Sequence, residues 1–201
     1  MSFALRIPHF ARILPLTVLL GLLSGCGINT IPTLDENAKA KWSDVQNQYQ
    51  RRADLIPNLV ETVKGYAAQE RQVLTEVTEA RAKVSQIKVD ASTITDPAKF
   101  KEFQDAQSAL TGALSRLLVT VERYPDLKSN QNFLALQSQL EGTENRIAVA
   151  RRDYIDAVRT YNTALRTFPT VIWAKTAFSG EKPMADFTAS EGSEKPPTVK
   201  F

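Results

Sequence analysis

FLALQSQLEGTENRIAVARRDYIDAVRTYNTALRTF, residues 133–168, carries the pattern that decides the fold. Every seventh residue from its start is large and apolar: Phe133, Leu140, Ile147, Tyr154, Tyr161 and Phe168. The positions three residues further on are Leu136, Thr143, Ala150, Ala157 and Ala164, mostly small. A stripe with this 3-4 spacing stays on one side of a helix only where partner helices cover it. No proline interrupts the stretch and its single glycine is Gly142, so it predicts one helix roughly 54 Å long.

The same spacing recurs upstream. From Ala38 a seam runs through Trp42, Val45, Tyr49, Arg52, Ile56, Leu59, Val63, Tyr66, Glu70, Val73, Val77, Ala80, Val84 and Ile87. It predicts a first long helix with a kink between Ala53 and Pro57, because proline removes one backbone donor and crowds the carbonyl four residues back. Gly65 weakens that helix by roughly 1 kcal/mol relative to alanine. Val89–Thr95 lacks helical period and reads as a loop. Asp96-Pro97 supplies an N-cap and a first-turn proline for a second helix, whose seam is Phe100, Phe103, Gln107, Leu110, Leu114, Leu117, Val121 and Tyr124. Pro125 stops it. The short Tyr124–Leu127 corner makes the second and third helices antiparallel neighbours, and a hairpin about residue 126 sets Gln107 level with Thr143–Asn145. Pro169 ends the third helix, and Val171–Phe178 predicts a short fourth. The fold class is therefore all-α, an antiparallel up-and-down bundle of three long helices plus a short C-terminal one, spanning 38–178. The Gly, Pro, Ser and Glu of 179–201 predict a flexible tail.

The N-terminus decides the compartment. Arg6, His9 and Arg12 precede the apolar run Ile13–Leu23, which covers about 16 Å as a helix and is too short to cross a ~30 Å hydrocarbon core. Leu23-Ser24-Gly25-Cys26 resembles a bacterial lipobox, in which the peptide is cut before cysteine and the new terminus is acylated. The domains then read 1–25 as a lipoprotein signal peptide and 26–37 as lipidated Cys26 and a tether. An ordinary cleaved signal with a free thiol, or an uncleaved anchor, are the other readings. Several acyl chains on one residue hold a protein stably at a membrane. Gly27 stands where inner-membrane lipoproteins carry Asp, so the resemblance favours the outer membrane, with the bundle facing the periplasm.

Composition excludes several functions. Of 25 basic residues, Arg6 and Arg12 lie before residue 26, leaving 23 against 22 acidic ones. Such a balance is no footprint for nucleic acid. Cys26 is the only cysteine and His9 the only histidine, so a chain cut before Cys26 has neither imidazole nor disulfide. No metal site is expected, since only carboxylates remain and no EF-hand-like spacing appears. Nor is an activated nucleophile or a Gly-rich phosphate loop visible, so the chain reads as a non-enzyme without cofactor.

The polar residues in the stripes are the candidate site residues. Arg52, Glu70, Gln107, Thr143 and Glu144 break the apolar seams, and a charge buried there must pair or reach water. They read either as groups that fix helix register or as a polar recognition site. Arg51, Arg52, Asp54 and Asn58 gather around Pro57. As structure Asp54 and Asn58 help satisfy backbone groups freed by the proline and Arg52 pairs with an acid on a neighbouring helix; as function two arginines hold a carboxylate or lipid phosphate. Arg151-Arg152 reads as a solvated face and Trp42 as core.

Longer matches add a family. Gln50-Arg51-Arg52-Ala53-Asp54-Leu55-Ile56-Pro57-Asn58-Leu59-Val60 with Val63-Lys64-Gly65-Tyr66, and Tyr124-Pro125-Asp126-Leu127-Lys128, resemble segments of the LemA family. So do Leu140-Glu141-Gly142-Thr143-Glu144-Asn145-Arg146-Ile147, Ala150-Arg151-Arg152-Asp153-Tyr154 and Tyr161-Asn162, then Phe168-Pro169, Glu191-Gly192 and Lys200-Phe201. Ile155 replaces an asparagine usual in that family, so a polar role at that position is absent. The family's usual anchor is an N-terminal hydrophobic segment, where this chain has the lipobox. The resemblance implies an antiparallel helical bundle without established catalysis; the lipobox implies that N-terminal acyl chains hold it at the membrane. It also implies an accessory role beside an envelope partner, a membrane metalloprotease or TPM-type protein. The function read here is thus a membrane-anchored scaffold lipoprotein; the alternative is a binding module for an anionic ligand or lipid headgroup at Arg51–Asn58.

Overall fold

A computed structural model describes residues 27–90 and 92–188. Among them six helices follow in order: α1 Thr30–Lys64, α2 Arg71–Gln86, α3 Pro97–Val121, α4 Pro125–Lys128, α5 Gln131–Ala164 and α6 Thr170–Lys175. No strand occurs among the described residues, and no described helix is long and apolar enough to cross a membrane. The all-α bundle is the one the stripes predict. The signal peptide, the lipobox and Cys26 lie outside the described residues.

Four of these helices run up, down, up, down. Along α1 the partners on α5 fall in number as α1 rises: Lys41 with Asp153 (3.9 Å), Gln48 with Arg146 (3.3 Å) and Arg52 with Glu144 (2.9 Å), and just past α1 Tyr66 meets Asn130, the residue before α5 (2.9 Å). Alanines 38, 150, 157 and 164 are buried along this pair and let the two backbones approach. Glu70 with Arg123 (2.9 Å) and Glu76 with Arg116 (3.1 Å) set α2 antiparallel to α3. The closest helix pairs are α1 with α5, α2 with α3 and α1 with α2. The backbones of α3 and α5 stay farther apart, so the hairpin expected between them opens on one side of the bundle.

Three expectations are corrected. First, the helix expected from Ala38 through Ile87 is two helices. It passes through Pro57 without ending, then turns at residues 65–70 and folds back as α2. Leu74 and Val77 thereby cover Ile56, Leu59 and Val63. The carbonyl of Ala53, which Pro57 deprives of its helical donor, accepts from Arg81 Nε of the returning helix at 3.0 Å. Second, the tether is short, because α1 begins at Thr30 and Ile31 and Ala38 are fully buried. Pro32 falls in the first turn, where backbone donors have no helical partner anyway. Third, the start of the expected flexible tail is docked. Met184 and Phe187 are buried, Asn162 exchanges two hydrogen bonds with the Met184 backbone (2.8 and 2.9 Å), and Ala185 N donates to Ile94 O at 2.7 Å. Residues 189–201, including Val199-Lys200-Phe201, lie outside the described residues.

The cap of α3 is the expected one, whereas that of α5 is neither Asp126 nor Ser129. Asp96 caps α3, its side chain accepting from Ala98 N at 2.9 Å. Asn130 caps α5, accepting from Phe133 N at 3.1 Å. The core has two parts. Trp42, Tyr49, Phe100, Phe103, Tyr154 and Phe187 form an aromatic cluster at the end where the chain enters. Ile56, Leu59, Leu74, Leu110, Leu117 and Leu140 belong to an aliphatic one farther along.

Candidate functional site: a polar layer between two cores

Between the two clusters lies a layer built on one buried guanidinium. Arg52 on α1 is 1% exposed. Its Nη1 donates to Glu144 Oε1 of α5 and to Thr111 Oγ1 of α3, both at 2.9 Å. Its Nη2 donates to Gln107 Oε1 of α3 at 2.6 Å, and the Tyr49 ring lies 5.0 Å from its carbon centre. Burying a charge is tolerable only when most of its donors are met; here one carboxylate and two neutral side-chain oxygens meet the two terminal nitrogens, while the buried Nε has no partner among the described residues. Gln107 and Glu144 sit at one level but are joined through Arg52 rather than to each other. Thr143, fully buried, donates to Gln139 O at 2.8 Å and accepts from Arg146 at 3.1 Å.

This layer opens on the side where α3 and α5 diverge. A cleft of about 310 Å³ there is lined by Tyr49, Arg52, Gln104, Gln107, Glu144 and Arg151. Arg151, which the sequence assigns to a solvated face, lies 4.3 Å from the Phe187 ring centre. Gln104 donates to Thr188 O at 2.9 Å, holding the C-terminal segment along the same rim. Burial raises the Tyr49 phenol above its ordinary pKa, against the opposing pull of Arg151 and Arg52.

The structure separates the other candidates. Arg51, Asp54 and Asn58 are exposed on the opposite side of α1 from Arg52. Asp54 accepts from Gln50 at 2.7 Å, and the Asn58 carbonyl accepts from Thr62 at 2.7 Å. The two adjacent arginines therefore do not converge. Glu70 is not within a helical seam: it precedes α2, accepting from Tyr124 Oη at 2.6 Å and Arg123 Nη2 at 2.9 Å, and it ties the far end of the bundle. Thr111, Arg151 and Arg81 carry contacts that the sequence reading passes over. Thr111 stands one helical turn from Gln107 and was reachable by spacing alone.

Chemically the layer is a fixed cation whose two terminal nitrogens are hydrogen-bonded. Arginine does not act as a base at neutral pH. Among the described residues no group of three or more His, Cys, Asp or Glu side chains gathers where a metal would bind.

Comparison with known proteins fits this architecture. The model of the LemA family matches residues 41–201. Magnetosome protein MamQ 2 of Paramagnetospirillum magneticum is 28% identical over 166 residues, covering 75% of this chain and 60% of that protein. Magnetosome protein MamQ of Magnetospirillum gryphiswaldense is 27% identical over 157 residues, covering 70% and 58%. Protein LemA of Metamycoplasma hominis is 29% identical over 124 residues, covering 62% and 52%. The match thus spans about three fifths of the length of the first of these relatives. With the family's model matching from α1 to the last residue, this chain belongs to the LemA family.

Proposed function

We propose that the protein is a membrane-anchored, non-catalytic helical scaffold of the bacterial envelope. It is held by acylated Cys26 in the outer membrane, faces the periplasm and binds an envelope protein such as a membrane metalloprotease or TPM-type protein. The observation that carries the reading is where the bundle starts. Thr30 opens α1 four residues after Cys26, and only Gly27–Asn29 intervene. A folded body so close to an acylated Cys26 has no slack to leave a membrane surface.

The far end of the bundle offers a surface for the partner. A groove of about 560 Å³ between α1 and α2 is lined there by Val60, Ala68, Leu74, Thr75 and Thr78. Tyr66 and Leu134, 46% and 48% exposed, stand at the same end. Photo-crosslinking in cells from position 75 of the full chain tests the scaffold. The expected result is one envelope protein, captured from position 75, not captured from exposed Ala148, and lost with Thr78→Arg. Equal capture from both positions would refute it. Acyl labelling that persists in Cys26→Ala would refute the anchor.

A second reading, the binding of an anion, is supported by Arg52 and Arg151 lining one cleft. It moves from the Arg51–Asn58 stretch to the space between α3 and α5. Titration with sulfate and a dicarboxylate, followed by amide NMR, tests it: shifts confined to Gln104–Thr111 and Glu144–Arg151, absent in Arg151→Gln, are the supporting result.

A further inference from the structure

The end of the bundle where the chain enters carries apolar groups that the fold does not need. Because α1 and α5 are antiparallel, Ala164 at the close of α5 is level with Thr30 at the opening of α1. The chain then turns through Leu165–Pro169 into α6, which packs beside the entry point: a side chain built on Gly27 would lie 3.9 Å from Trp173 Nε1. At this end Phe168 is 80% exposed, Ile172 50% and Ile28 36%. Single apolar side chains on a surface are ordinary. Three at one end, two of them four residues apart in the chain and the largest nearly naked, make a patch that water does not favour.

Charge and reach say what covers it. Residues 165–178 include Arg166 and Lys175 and no acid, and Gly27–Leu34 carries no charge at all. The first acids beyond these segments are engaged: Asp35 accepts from Lys39 at 2.5 Å and Glu181 from Tyr161 Oη at 3.0 Å. Between Leu23 and Gly27 the chain spans at most about 14 Å fully extended. Whether the membrane holds the apolar run or acyl chains on Cys26, Gly27 stands within the headgroup layer or just above it. An apolar patch rimmed by cations at that height matches a lipid surface, with tryptophan at its usual interfacial level.

We propose that Ile28, Phe168 and Ile172 form a membrane-contacting foot, seated at the boundary of headgroups and acyl chains, with Arg166 and Lys175 against anionic headgroups. The foot rests on the anchored reading above and goes further, because it fixes orientation. With its end seated, α1 stands away from the bilayer, and its 35 residues carry the far groove about 50 Å from the surface.

The test uses the full acylated chain in vesicles of phosphatidylcholine and phosphatidylglycerol whose acyl chains are brominated near the headgroup. The chain has two tryptophans. Trp42 is buried about 18 Å along α1 from its start, so bromine should quench the Trp173 share of the emission alone. Phe168→Glu/Ile172→Glu alters only exposed side chains. It should stay bound through the anchor and lose the quenching. A bound wild type without quenching, or quenching unchanged in the double variant, overturns the foot and leaves the anchor standing. A wild type that does not float with the vesicles overturns both.

Discussion

Arg52 and Glu144, 92 positions apart, meet at 2.9 Å from opposite situations: the arginine side chain is 1% exposed and the glutamate 41%. The cation is interior and the anion sits on the rim of the cleft. Through the same guanidinium α1 reaches α3 at Gln107 and Thr111, so one side chain fixes the level of three helices. Sliding any of them by one turn, about 5.4 Å, would leave the charge against apolar side chains.

That arrangement predicts a coupled pair. Arg52→Met should cost about 2 kcal/mol, chiefly by orphaning the Gln107 side chain, since Glu144 can turn to water. Glu144→Ala should cost about 1 kcal/mol, reduced by its exposure. In the double variant the losses should fall short of their sum by about 1 kcal/mol. Urea unfolding of the four proteins measures this, and simple additivity would show that the contact does not set the register.

A second cycle concerns the proline. Ala53 O has lost its helical donor to Pro57 and accepts from Arg81 Nε instead, at 3.0 Å. Arg81→Met should therefore cost about 1 kcal/mol. With Pro57→Ala already present, residue 57 again supplies an amide donor, and the Arg81 substitution should cost less. An equal loss in both backgrounds would mean that Arg81 contributes packing rather than this bond.

Much of the fold is legible because periodicity reports which faces are buried. The stripe from Phe133 to Tyr161 becomes α5, and the Asp96-Pro97 signal opens α3 at Pro97. Periodicity does not report direction. The seam continues in phase across Gly65 to Ile87, since a helix that folds back buries the same kind of face as one that continues. The turn at 65–70 is therefore hidden, since Gly65 reads only as a weak position within a continuing helix. Phe187 is missed for another reason: one aromatic among Gly, Pro and acidic residues has no period to betray burial. In the site, Arg52, Gln107 and Glu144 stand out in the sequence as breaks in apolar stripes. Arg151 does not, because its environment is made by the separation of α3 from α5 and by the return of residues 184–188.

Docking of that return segment is itself testable. The Phe187 ring centre lies 4.9 Å from Phe100, 5.8 Å from Tyr154 and 6.2 Å from Trp42. Phe187→Ala should cost about 3 kcal/mol, the low end for a buried phenylalanine, and should shift the emission of neighbouring Trp42 to the red. A variant with wild-type stability and spectrum would mean that residues 184–188 do not pack on the bundle in solution.

Alkaline pH should unfold the bundle through its tyrosines. The Tyr154 and Tyr161 phenols are raised well above the ordinary value of 10.0, first by burial; Tyr161 is raised further by its hydrogen bond to Glu181, and Tyr154 by the charge of Asp186. Their hydroxyls donate to Ala185 O at 2.7 Å and Glu181 Oε2 at 3.0 Å, bonds that a phenolate could not make. Since the folded pKa exceeds the unfolded one, the unfolded chain binds fewer protons above that lower value, and stability falls as pH rises. The contribution is complete below about pH 10 and shrinks above it. Tyrosinate absorbance followed alongside helical circular dichroism should show these two phenols ionising together with the loss of helix. Tyr154→Phe should lose about 1 kcal/mol at neutral pH from the missing bond, yet decline less steeply above pH 10. Full tyrosinate formation with the helix signal intact would show that both hydroxyls reach water in the folded bundle.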